Sequence, residues 1–182
     1  MQRGPQVLKI VGQQTVYAAP QEKTSVSAIG IADVMCPETN EVVQAWKKWR
    51  GWHAMPGYRS WLEADIGRNF EHTSMARVVD GGSDYEFEYI GDSHVRAYGT
   101  DHRGRRVSDI AQLSPRFGRQ LKASYDLVRV SGHPHAFQGL VGQENSDARF
   151  VWFETVYLPM GSAGVVDHIL NAAVYQLRDI AA

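Results

Sequence analysis

Several short runs of this chain bring reactive side chains together. His133-Pro134-His135 offers two imidazoles that could share a metal ion. A metal site needs three or four ligands, and nothing nearby supplies a third. The run reads instead as the end of a helix, where an imidazolium is favoured by the helix dipole. Asp92-Ser93-His94 contains the residue types of a nucleophile–base relay. Adjacent residues cannot aim at one another as such a relay requires, so the run reads as a helix cap. Arg103-Gly104-Arg105-Arg106 could grip a phosphate or a phosphorylated partner, although such a run is more often a solvated loop. Asp167-His168 places an acid beside a base in the last apolar stretch. The one cysteine, Cys36, excludes an internal disulfide and a cysteine-based zinc knuckle. Phosphate-binding loops, dinucleotide fingerprints, zincin motifs and kinase signatures are all absent.

The elements that must position these residues come from 182 residues, 43% hydrophobic and 21% charged, which is ordinary globular usage. With 19 basic and 20 acidic side chains the net charge is -1, so no electrostatic case exists for nucleic acid or an anionic membrane surface. No run approaches the roughly 18 apolar residues of a membrane span. The interrupted apolar start argues against a signal peptide, and the expected location is cytoplasmic.

Residues 1–36 are short apolar pieces separated by Gly, Gln and Pro, and are expected to form an N-terminal extension. Within it, SVSAIGIADVMC is compatible with strand or loop. Residues 37–72 read as a helical segment. Pro37 suits a first helical position, Glu38 and Glu41 the N-terminal end, and Lys47, Lys48 and Arg50 the C-terminal end. Val42, Trp46 and Trp49 form an apolar stripe. A second short helix is expected over residues 58–66, with Tyr58, Trp61 and Leu62 facing in.

From residue 73 the pattern changes. Residues 75–80 and 85–91 read as strands joined by a Gly81-Gly82-Ser83-Asp84 loop. A short helix follows to Tyr98, closed by Gly99, and Ser108 could cap another. Ser114-Pro115 opens a longer helix to about Ser131, with Phe117, Leu121, Tyr125 (or Ser124) and Val128 as its stripe. Residues 135–141, 149–158 and 165–177 read as strands, with Asn145-Ser146-Asp147 and Gly161-Ser162-Ala163-Gly164 as turns. Strands at both ends and helices between them indicate an antiparallel α+β sheet.

This order resembles the PAS domain. FEYIGDSHVRAYGTDHRGRRVSDI, residues 87–110, is similar to the strand–helix–Gly-Arg signature of a single-domain PAS family common in alphaproteobacteria, with Tyr89, Gly91, Gly99, Asp101, Gly104 and Val107 at matching places. WKKWRGWHAMP resembles that family's Trp-rich leading helix and Met-Pro. DIGRNFEHTSMARVV resembles the approach to its first strand, with Gly67 and Glu71 in place of the usual prolines. ETVYLPMGSAGVVDHILNAAVY resembles its closing strands. The likeness covers about residues 40–177.

The resemblance implies a PAS core over residues 73–182: a five-stranded antiparallel sheet in the order 2-1-5-4-3, with helices over one face and the N-terminal helix leading in. It implies a sensory or regulatory module that binds a small ligand or a protein partner and signals through other chains. A haem PAS presents an axial histidine from its long helix, and residues 115–131 contain none. A flavin photosensor needs a cysteine on a short helix beside the ring, and Cys36 is far from that region. No cofactor and no metal is therefore expected. A ligand would lie between sheet and helices. On the closing strand Val166, His168, Leu170, Ala172 and Val174 are the more apolar set, so His168 is expected to point inward, with Tyr89, Tyr98, Phe137 and Phe153 as an aromatic wall. The apolar surplus of Val42, Val43, Trp46 and Trp49 points to a homodimer built on the leading helix. Two other readings remain open: a protein-interaction PAS domain with no ligand, and a small α+β enzyme using a His/Asp pair in a sheet pocket.

Overall fold

The computed structural model describes residues 23–64, 67–143 and 148–178. Residues 1–22 and the turn expected at Asn145-Ser146-Asp147 lie outside them. Among the described residues one antiparallel sheet of six strands organises the chain. They are β1 (Ser25–Ile29), β2 (Thr73–Val79), β3 (Asp84–Ile90), β4 (His135–Leu140), β5 (Phe150–Ser162) and β6 (Val165–Leu177). Their spatial order is β1-β4-β5-β6-β2-β3. Among the described residues five α-helices accompany them: α1 (Pro37–Arg50), α2 (Tyr58–Leu62), α3 (Asp92–Tyr98), α4 (Val107–Leu113) and α5 (Pro115–Ser131). No helix among the described residues is long and apolar enough to cross a membrane.

The α+β class agrees with the sequence reading, but the sheet has six strands rather than five. The extra strand comes from residues assigned to the N-terminal extension. Ser25 to Ile29 pair with Leu140 to Ala136 along the outer edge of β4. Gly139 permits that approach, because a Cβ there would lie 2.5 Å from the carbonyl oxygen of Ser25.

The helices also cover both faces of the sheet rather than one. On β5 and β6, Phe153 pairs with Tyr175, Thr155 with Ala173 and Tyr157 with Asn171. This set faces α3, α4 and α5. The alternate set, Glu154 with Val174, Val156 with Ala172 and Leu158 with Leu170, faces α1. Both faces are therefore interior, and β5 and β6 read as nearly continuous apolar runs.

Helix α1 is fixed to the sheet by two polar anchors. Cys36 holds its N-cap position but supplies no side-chain cap. The cap comes from β5: the buried Glu154 carboxylate accepts hydrogen bonds from Met35 N at 2.8 Å, Cys36 N at 2.9 Å and the Thr39 hydroxyl. An anion at this end also complements the helix dipole. Further along α1, Trp46 Nε1 donates to the Pro159 carbonyl at 2.8 Å. Burial, together with the neighbouring Glu154 carboxylate, pushes the Cys36 thiol up to about 12.

This packing corrects the expected dimer face. Val42, Val43 and Trp46 are buried within the one chain, and Trp49 is half-buried against the same core. The apolar surplus of α1 is used on its own sheet, because the helix lies across a sheet face instead of leading away from it. In α2, Trp61 is buried and Tyr58 half-buried, but Leu62 is exposed. The cap expected of Ser108 belongs instead to Arg106, whose N–H is held by Asp109. Ser108 donates to Asp84.

Replacing Glu154 by Ala leaves the buried Cys36 N–H and the part-buried Met35 N–H without their acceptor, while the Thr39 hydroxyl keeps the Cys36 carbonyl. Urea unfolding should show a loss of about 3 kcal/mol, since each orphaned buried donor is expensive. Thr39→Val, which removes one donor, should cost about 1 kcal/mol. A loss for Glu154→Ala no larger than that of Thr39→Val would contradict the capping role.

Candidate functional site

A cavity of about 850 Å³ lies between the sheet and helices α3, α4 and α5, within the size range of small-molecule sites. Its floor is the inner sheet face: Val26 of β1, Phe137 of β4, Phe150, Phe153, Thr155 and Tyr157 of β5, and Tyr175 of β6. Its roof is Ala97 and Tyr98 of α3, Ile110 and Leu113 of α4, and Phe117, Gln120, Leu121 and Ser124 of α5. The period of α5 turns Phe117, Leu121 and Ser124 toward the sheet, as an i, i+4, i+7 stripe must.

Rings dominate the lining. Tyr98 packs 4.8 Å from Phe117 and 5.8 Å from Tyr175. Phe150 lies 4.9 Å from Tyr175 and 6.0 Å from Phe153. Phe137 meets Tyr157 edge-on at 6.1 Å. Tilted and edge-to-face pairs at these separations are the favourable arrangements of aromatic quadrupoles.

A buried hydrogen-bond chain runs through this wall. His94 Nε2 lies 3.1 Å from the His72 carbonyl, which can only accept. Nε2 therefore carries the proton, and Nδ1 is a bare acceptor. Tyr175 donates its hydroxyl proton to Nδ1 at 3.0 Å, and Tyr98 donates to the Tyr175 oxygen at 2.8 Å. The chain ends at the Tyr98 oxygen on the cavity wall, with lone pairs available to a donor. Burial holds the Tyr98 and Tyr175 phenols above their ordinary range and pushes His94 down to about 4. All three stay neutral near pH 7.

Of the five residues expected to bind a ligand, the structure brings Tyr98, Phe137 and Phe153 to the cavity. His168 and Tyr89 stand on the opposite sheet face. His168 stacks on Tyr58 of α2 with ring centroids 4.0 Å apart, its Nδ1 2.8 Å from Asp167 and its Nε2 3.4 Å from Glu88. The parity argument assumed one solvated face, whereas α1 and α2 bury the second. The set containing Asn171 is the cavity-side set, and Asn171 is buried with its amide donating to Thr155 Oγ1 and the Val156 carbonyl.

Tyr89 is displaced by a β-bulge. Met75 pairs with Tyr89 but Ala76 pairs with Phe87, leaving Glu88 as an extra residue. The extra residue reverses the facing beyond it. Tyr85 and Phe87 pack on Tyr125 of α5, while Tyr89 turns to Trp61 and Phe70.

Tyr175, Tyr157, His94 and His102 were missed by the sequence reading. The one available signal was the buried relay partner: a His two residues into a short helix, followed by a Tyr four residues on. Ser93, beside His94, lies 3.2 Å from His72 Nδ1, so Asp92-Ser93-His94 forms neither a relay nor a cap. In the other histidine pair, His133 Nδ1 bonds the Ser131 carbonyl and His135 Nε2 the Ser131 hydroxyl. No group of three or more His, Cys, Asp or Glu able to hold a metal occurs among the described residues. In the arginine run, Arg103 pairs with Asp101 and Arg106 with Asp80. Compared with family models, curated proteins and solved structures, the chain matches none.

The depressed His94 has a consequence for pH. Below about pH 6.5 the unfolded chain takes up a proton that the folded chain refuses. This contribution to stability is present above 6.5 and is lost as pH falls toward 4, by up to about 3 kcal/mol. Imidazole ¹⁵N spectra at pH 5.5 should show His94 as the neutral Nε2–H tautomer, where an ordinary imidazole is mostly charged. A protonated His94 at that pH would contradict the assigned chain of donors.

Proposed function

We propose that the chain is a PAS-type sensory module whose cavity takes a small organic ligand and whose output passes to another protein. One observation carries this reading: the ring-lined cavity of about 850 Å³ between the sheet and α3, α4 and α5. An open cavity of this size with a mainly aromatic lining and a few polar groups has the usual composition of a small-molecule site. The strands β3-β2-β6-β5-β4, with three helices gathered over one face, support the likeness on which the PAS reading rests.

The route for a signal is short. Phe153 and Thr155 line the cavity, and Glu154 between them points through the sheet to cap α1. A ligand that shifts Phe153 and Thr155 moves the strand residue that holds the start of α1. The helix and the edge strand β1, which contributes Val26 to the cavity, are the elements through which occupancy would reach a partner.

The enzyme reading has no comparable support. Its acid/base pair, Asp167 and His168, is within hydrogen-bond reach but lies under α2 on the sheet face opposite the cavity.

Native mass spectrometry of protein purified from its own host tests the proposal. The unmodified chain should carry a small bound mass. Ser124→Trp, which places a large ring into the cavity from a half-buried position on α5, should remove that mass while leaving the far-UV circular dichroism unchanged. An adduct that persists in the folded Ser124→Trp protein would place the ligand elsewhere and overturn the reading.

A further inference from the structure

Resting on the cavity reading above, we infer that the ligand is a flat aromatic molecule that donates a hydrogen bond, through a phenol O–H or a heteroaromatic N–H, to the Tyr98 oxygen. Tyr98 and Tyr175, at one end of the cavity, have no proton left to give. A ligand that meets them there must supply its own.

The direction is set from outside the cavity. His94 is 1% exposed, and its Nε2 faces the His72 carbonyl at 3.1 Å. A carbonyl oxygen only accepts, so the one proton of the neutral imidazole sits on Nε2. Nδ1 then takes the Tyr175 proton across 3.0 Å. The Tyr175 oxygen in turn takes the Tyr98 proton across 2.8 Å. Each link uses the only proton its donor has, and the Tyr98 oxygen is left with two lone pairs.

The place of the last link follows from the elements that carry it. Tyr98 lines the cavity from α3 and Tyr175 from β6, one in the roof and one in the floor. Their hydroxyls meet where roof and floor close on each other, so the pair forms an end wall. Both tyrosines are half-buried, whereas His94 behind them is buried. Beside the pair stand the rings of Phe117, 4.8 Å from Tyr98, and Phe150, 4.9 Å from Tyr175. A flat ring packs edge-to-face among these and brings a donor on its rim to the wall.

An acceptor in the same place is opposed. A ketone or ether oxygen would face the lone pairs of Tyr98. If it took the Tyr98 proton instead, two tyrosine oxygens 2.8 Å apart would have none between them. An ammonium donates too, but no Asp or Glu lines the cavity among the described residues to answer its charge. A phenol or an N–H heterocycle meets the wall at neither cost.

Two probes of nearly the same shape test this: 2-phenylindole, whose N–H donates, and 2-phenylbenzofuran, whose ring oxygen cannot. Each is titrated into the full chain and followed by its fluorescence. 2-Phenylindole should bind about fivefold tighter, the gain expected of one neutral hydrogen bond. Tyr98→Phe keeps the ring and removes the acceptor, so it should bring the ratio to about one without weakening 2-phenylbenzofuran. A merely structural role for Tyr98 would weaken both probes alike and would overturn the inference. Equal binding of the two probes to the unmodified chain would also overturn it. Loss of both probes in Ser124→Trp would then show that the cavity site still stands. If neither probe binds the unmodified chain, the ligand class is overturned, and the cavity reading is decided by the native mass measurement.

Discussion

A carboxylate in the middle of a sheet is the constraint on which the rest of this structure depends. Glu154 is fully buried on β5, and among the described residues its hydrogen-bond partners all lie at the start of α1. Left unpaired, such a charge is far too costly to keep in an apolar interior. Pairing it with three donors holds α1 in one place across β5 and β6. Once α1 is there, the second face of the central strands is covered, and β5 and β6 must be largely apolar on both sides.

That two-sided burial divides the molecule into a tight half and an open half. Beneath α1 and α2 the side chains of Val42, Val43, Met75, Leu158 and Leu170 fill the space. Beneath α3, α4 and α5 the large rings stand apart around a cavity, braced by the chain from Tyr98 through Tyr175 to His94. Adjacent residues of β5 alternate between the two, so the strand that feels an occupant also carries the anchor of α1.

Much of the architecture was legible because local signals agreed. Pro37 and the charge asymmetry of residues 37–50 marked α1, and the Ser114-Pro115 start with Gly132 at the end marked α5. The Tyr98, Phe137 and Phe153 positions followed from placing a ligand between sheet and helices. What failed was everything that depended on a neighbour distant in sequence. Parity on β6 could not be read from apolar counts when both faces are buried, and this misplaced His168. The bulge at Glu88 leaves no mark in the alternation of YEFEYI, and it misplaced Tyr89. The surplus on α1 is identical in sequence whether it meets a second copy or its own sheet. Glu154 itself stood out in FVWFETVYLPM as an acid in an apolar strand, but its partners lie more than a hundred residues away.

The central claim is that the space between the sheet and α3, α4 and α5 is a binding site and not merely an imperfection of packing. A crystal structure of the full chain purified from its own host tests it most directly. The account predicts density for a bound molecule between Tyr98 and Phe153. Phe117, Phe137 and Phe153 collapsed together with no density between them would contradict it.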